Sequence, residues 1–169
     1  MLELWRGWVT ATEQPSPENF DAVLKGYKSV VDSTAAITAK GLYDAYPNAK
    51  FILTTRDPVR WESSMRSTVF KTCVEFPQSD VAKTQPALAP IVQWLECFLN
   101  YFGGGVPENP QEELFRHNEY IKGLIPPEQL IVFDLKEGWE PLAKFLNVPI
   151  PEVPFPRLND RKVYHERGW

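Results

Sequence analysis

The sequence predicts an α/β domain with a small, mainly parallel sheet. Short apolar runs, Ser29-Val30-Val31, Phe51-Ile52-Leu53 and Leu130-Ile131-Val132-Phe133, alternate with longer helix-like stretches. That alternation implies parallel strands joined by right-handed crossovers. A chain of 169 residues, 43% hydrophobic and 24% charged, is long enough to bury one real core. One domain is therefore expected over residues 1–169, with residues 148–169 as an extended tail packed on it.

The elements follow in order. Pro15 and Pro17 precede a helix over 18–26, then come a strand at 29–32 and a helix over 35–46. A strand at 50–55 runs into a helix over 58–74, where Asp57 is a good N-cap and Pro58 fits the first helical position. Pro86 and Pro90 open a helix over 87–102, and Pro107 and Pro110 flank the turn into another over 110–123. Pro126-Pro127 precede the strand 130–134, and a helix spans 138–146. Pro149, Pro151, Pro154 and Pro156 hold the tail extended, because each restricts its predecessor away from helix.

Composition excludes several partners. A net charge of −4 and a pI near 5.3 do not supply the concentrated positive field that nucleic acid requires. No stretch approaches the roughly 18 apolar residues of a membrane span. Glu3 and Arg6 interrupt the N-terminal apolar segment, so no signal peptide is expected and the protein reads as cytoplasmic. Cys73 and Cys97 lack metal-ligand spacing and read as buried thiols. Gly103-Gly104-Gly105 follows no strand and precedes no Lys-Ser/Thr, so it reads as a turn rather than a phosphate cradle.

The candidate chemistry gathers at the ends of strands. In open parallel sheets ligands bind beyond the carboxyl ends, where Asp32, Arg56 and Asp134 all fall. Arg56 stands between an apolar strand and a helix N-terminus, so a guanidinium, free amides and the helix dipole converge on one point. Ser64, eight residues on, adds a hydroxyl two turns into that helix. The same residues also make an ordinary capped turn with a solvated arginine. Asp32 is a candidate general base and equally a helix cap. Trp5, Trp8, Trp94, Phe98, Tyr101 and Phe102 exceed what a small sheet needs as filler. They are either core or the lining of a pocket for an apolar or aromatic small molecule.

Five segments together resemble one family. They are Asp21-Ala22-Val23-Leu24-Lys25-Gly26-Tyr27, Tyr43-Asp44-Ala45-Tyr46-Pro47-Asn48-Ala49-Lys50, Arg56-Asp57-Pro58-Val59-Arg60-Trp61, Val132 to Leu142, and Pro154-Phe155-Pro156-Arg157-Leu158-Asn159. The chain resembles the sulfotransferase-like family with a P-loop-type fold, abundant in fungi and often found near secondary-metabolite genes. The resemblance implies a three-layer α/β/α fold and assigns Arg56 and Ser64 to the 3′-phosphate of the sulfonate donor PAPS. It places Asp32 where the family usually reads Asp-Trp-Pro, although here the residues are Asp32-Ser33-Thr34. Nothing before Asp21 resembles the family's opening strand and Gly-x-x-Arg-Thr-Gly-Thr-Thr-Ser loop, so a fold missing its first strand is expected. PAPS or its product PAP is then a cofactor only if that loop is restored.

Three functions remain open at this point. The favoured one is a PAPS-independent tailoring enzyme that cyclises, isomerises or eliminates, with an aromatic pocket folding the substrate and Asp32 or Arg56 biasing charge. The others are a PAPS-dependent sulfotransferase and a non-catalytic binding or assembly protein. In P-loop-type folds the first strand lies between the arginine strand and the strand corresponding to Leu130–Phe133. Its loss would leave facing backbone edges unpaired, a cost that self-association can relieve, so a homodimer or larger oligomer is expected.

Overall fold

The computed structural model describes residues 16–156. In chain order its elements are α1 Pro17–Leu24, α2 Asp32–Ile37, α3 Ala39–Ala45, β1 Phe51–Thr55, α4 Pro58–Ser67, α5 Val69–Glu75, α6 Asp80–Thr84, α7 Ala89–Tyr101, α8 Pro110–Leu124, β2 Leu130–Asp134 and α9 Trp139–Leu146. Short 3-10 turns sit at Phe76–Gln78, Pro86–Leu88 and Leu135–Glu137. The protein is thus mixed α/β with a small parallel sheet. Among the described residues no helix is long and apolar enough to cross a membrane.

The described chain forms two compact units, residues 16–48 with 70–108, and residues 49–69 with 109–156. In the first, α1 packs on α3 and buries Phe20 and Val23 with Ala39 and Leu42. The Tyr46 hydroxyl at the end of α3 donates to Asp21 Oδ1 at 2.8 Å. Desolvation, then the Asp21 hydrogen bond and charge, push the Tyr46 hydroxyl up to about 12. Phe70, Cys73, Leu95, Cys97 and Phe98 are also buried in this unit. Burial raises both thiols, that of Cys73 to about 11, so neither is a ready nucleophile. Gly103 and Gly104 have φ of 89° and 96°, and the Gly104 N–H donates to Leu99 O. The glycine run therefore ends α7 as a left-handed C-terminal cap.

The second unit is built on the sheet. β1 pairs with β2 in parallel, in a register running from Phe51↔Leu130 to Thr55↔Asp134. The Gln129 side chain donates to Ala49 O at 3.0 Å and the Phe51 N–H to Gln129 O at 2.7 Å, which fixes the start of the ladder. Leu53, Phe133, Ile121, Ile125 and Ala143 form its core. Asn147, in the left-handed conformation, ends α9, and residues 148–156 form no further helix or strand. The Trp139 indole N–H donates to Val153 O at 2.7 Å, and Phe155 packs edge-on against Trp139 and Phe133.

Two kinds of sequence expectation are corrected. Residues 29–32 form no strand, because two valines with no ladder partner among the described residues cannot hold one, and Val31 is 76% exposed. Asp32 instead opens α2, with φ of 78°. The single helices expected over 35–46 and 58–74 are each broken, at Thr38 and at Thr68. Both threonine hydroxyls donate back to a carbonyl four residues earlier, Thr38 to Thr34 O and Thr68 to Ser64 O, and such bonds compete with the helix ladder.

Replacing Tyr46 by Phe removes the α1–α3 hydrogen bond and keeps the ring. Because the bond lies near the surface, chemical denaturation should show a loss of about 0.5–1 kcal/mol.

Candidate functional site

The carboxyl edge of the sheet is assembled from two strand exits. At the end of β1 the Asp57 side chain accepts the Arg60 N–H at 2.8 Å, and Pro58 takes the first turn of α4. This cap stops the strand and turns the chain, leaving Arg56 exposed at the junction. Its guanidinium has no hydrogen bond or ion pair among the described residues. Sequence reasoning missed Arg60, which is also exposed and lies one turn further on; the four-residue spacing from Arg56 was the available signal. Ser64 is half-buried, with its carbonyl taken by the Thr68 and Ser67 hydroxyls at 2.7 and 3.1 Å. Its own hydroxyl has no partner among the described residues.

The register places Asp134 beside Thr55, so Arg56 and Asp134 leave neighbouring strands at the same edge. Asp134 is not a free carboxylate. It accepts the Lys136 N–H at 3.0 Å and lies 3.6 Å from the Lys136 ammonium, while Glu137 accepts the Asp134 N–H at 2.8 Å. This capping box, with Gly138 at φ 71°, launches α9. The strand exits therefore carry both signs of charge, exposed Arg56 and Arg60 beside the capping carboxylates of Asp57, Asp134 and Glu137.

Helix α4 is clamped from the side. Glu62 accepts Arg66 Nε and Gln111 Nε2, both at 2.7 Å, which ties α4 to α8. Those two hydrogen bonds, Gln111 first, hold the Glu62 carboxyl below its usual range. Further along α8, burial lowers the His117 imidazole from its ordinary 6.5, so the neutral ring is favoured.

The sequence profile of the Sulfotransferase domain matches residues 1–164. The chain belongs to the sulfotransferase domain family. Ava biosynthesis cluster protein M of Aspergillus versicolor is 30% identical over 150 residues, which is 83% of this chain. The chain spans 57% of that relative's length, so little more than half of it is represented here.

In this sulfotransferase domain the remaining sequence-predicted residues belong to the first unit. Asp32 is exposed, and its carboxylate accepts the N–H of Ser33 at 2.5 Å. It starts a helix rather than ending a strand, so no sheet position places it with Arg56 and Asp134. Trp94, Phe98 and Phe102 recur every four residues along α7 and form a continuous ladder. Trp94 stacks on Phe98 with centroids 5.7 Å apart, and Phe98 meets Phe102 edge-on at 5.3 Å. Phe70 backs the ladder at 6.4 Å from Phe98 and 5.5 Å from Phe102, and Tyr101 meets Phe102 at 5.1 Å. Trp5 and Trp8 lie outside the described residues.

The His117 shift makes a signed prediction. Its folded-state value lies below the unfolded 6.5, so below about 6.5 the unfolded chain binds the extra proton more readily. Stability should be full above that value and fall as the pH drops from there towards the lowered folded value. Urea titrations across that range should show the decline, and His117→Gln should flatten it.

Proposed function

We propose that this chain is a tailoring enzyme of secondary metabolism, acting in the cytoplasm on an apolar or aromatic small molecule without the sulfonate donor. The reaction is a cyclisation, isomerisation or elimination. The observation that carries this reading is the direct β1–β2 ladder. In P-loop-type folds the strand that leads into the donor's phosphate cradle runs between these two. Hydrogen-bonded parallel strands lie about 4.8 Å apart, which leaves no lane for a third. Family membership and a relative named for a biosynthesis cluster support the metabolic setting.

In this reading the half-exposed ends of the Trp94–Phe98–Phe102 ladder hold the substrate's apolar body in a reactive conformer. One polar group, Asp32 of the same unit, is exposed and takes the proton. One observation favours the PAPS-dependent alternative: Arg56 and Ser64 keep a guanidinium and a hydroxyl without partners among the described residues, as a grip on the donor's 3′-phosphate would need.

The two readings separate in calorimetry. PAP should show no micromolar binding, because Arg56 and the Ser64 hydroxyl are half of the usual donor site and an exposed anion grip is screened by salt. Micromolar binding that disappears in Arg56→Ala would overturn the proposal in favour of sulfonate transfer. Product analysis gives the second arm: incubation with metabolite extract should yield an isomer or a product lighter by one water, with no requirement for PAPS. A product heavier by one SO3 that forms only with PAPS would refute it.

Asp32→Asn should lower turnover of that reaction by about a hundredfold or more. Folding should be nearly unchanged, since asparagine tolerates positive φ as well as aspartate does. Unchanged turnover with lowered stability would make Asp32 a structural cap.

A further inference from the structure

We propose that residues 148–155 form a strap that closes over the carboxyl end of β2, held by one hydrogen-bonded latch and one aromatic plug, and that it opens while the sheet stays folded. The inference is independent of the chemistry proposed above.

The arm of the strap is stiff and nearly bare of other anchors. Pro149, Pro151, Pro154 and Pro156 have no N–H to donate and fix their own φ. Each also holds the residue before it, Val148, Ile150, Val153 or Phe155, away from helix. The base of the arm is set where Asn147, at φ 56°, ends α9 and the Val148 N–H donates to Ala143 O at 3.0 Å. Every residue from 146 to 154 is exposed, Val153 to 61%, and Phe155 is the first to turn inward.

What holds the arm converges on one point. The Trp139 indole N–H donates to Val153 O at 2.7 Å, which is the latch. The Phe155 ring is the plug, with its centroid 4.7 Å from Trp139 and 6.1 Å from Phe133. These are the only hydrogen bond and ring contacts that residues 149–156 make among the described residues. Phe133 is the last residue but one of β2, and Trp139 is the first of α9. The plug therefore sits at the strand end where parallel sheets leave room for ligands. With the strap closed Phe133 is 1% exposed. The β1–β2 ladder and its Gln129 anchor use none of these residues except Phe133, and that one through its backbone. Opening thus breaks one surface hydrogen bond and lifts one ring, baring the Phe133 and Trp139 rings while the ladder persists. A segment held by so few contacts opens at lower cost than the fold as a whole.

Native-state hydrogen exchange on the full chain, read by nitrogen-15 NMR, follows both parts at once. The Trp139 indole N–H is assigned by its loss in Trp139→Phe. After correction for intrinsic rates it should exchange at least about a hundredfold faster than the slowest amides of the β1–β2 ladder. Its rate should be nearly flat in low urea, whereas theirs should climb, because global unfolding exposes far more surface. Phe155→Ala should speed the indole exchange by at least about tenfold and change the ladder amides by less. Ile150→Ala, on the exposed arm, should alter neither. An indole N–H that exchanges together with the ladder and shares its urea dependence overturns the proposal. So does one already exchanging as fast as free tryptophan, or a Phe155→Ala variant that speeds the ladder as much as the indole. Should Phe155→Ala fail to fold, the wild-type comparison decides alone.

Discussion

The second unit depends on one parallel ladder. It joins segments remote in sequence: the Gln129–Ala49 hydrogen bond spans 80 residues. The entropy of closing such a loop grows only slowly with its length, but it must be met by contacts made after closure. Several are placed at the ends of the ladder. Gln129 fixes the entry, Lys50 reaches the Phe145 carbonyl and lies over the Phe145 ring, and Glu62 ties α4 to α8 through Gln111. Five residues per strand would not hold this arrangement alone. The surrounding polar clamps make the register single-valued, because a slip by one residue would turn Leu53 and Phe133 out of the core.

The same ladder sets what the edge can do chemically. Parallel pairing brings both strand exits to one side, and each exit is immediately followed by a cap, Asp57 before α4 and Asp134 before the turn into α9. Both carboxylates accept backbone N–H groups, as Asp32 does from Ser33. What remains available is cationic, Arg56 and Arg60, with the Ser64 hydroxyl. The exposed arginines of the strand exit and Asp32 therefore belong to different units, each folded around its own core. Ser33, next to Asp32, has a buried hydroxyl with no hydrogen-bond partner, an uncommon state for a hydroxyl in a folded chain.

Much of this was legible in the residues. Runs of three or four apolar residues bounded by polar turns gave both real strands, and Asp57-Pro58 gave the start of α4 to the residue. Those signals are local, and the structure leaves them intact. The strand expected at 29–32 failed because a strand is defined by its neighbour, which sequence pattern does not supply. The breaks at Thr38 and Thr68 were readable in principle. Ser63, Ser64, Ser67 and Thr68 crowd hydroxyls onto consecutive turns, and Ser64 O ends up accepting from both Ser67 and Thr68. Hydrophobic periodicity runs straight through such a segment and does not register the competition.

The aromatic ladder is core at its middle and surface at its ends. Phe70 is 1% exposed and Phe98 7%, so the middle of the ladder is fixed by packing and cannot yield to a ligand. Trp94 and Phe102, one turn to either side of Phe98, are half-exposed, and Tyr101 is 45% exposed. Edge-on and stacked contacts of about 0.5–1.5 kcal/mol each hold the outer rings against the buried ones, so their orientation is largely decided before anything binds. A surface made this way loses little side-chain entropy on binding, which is the condition for confining a flexible apolar molecule at low cost. The packing that makes Phe98 a core residue is what makes its neighbours a rigid wall.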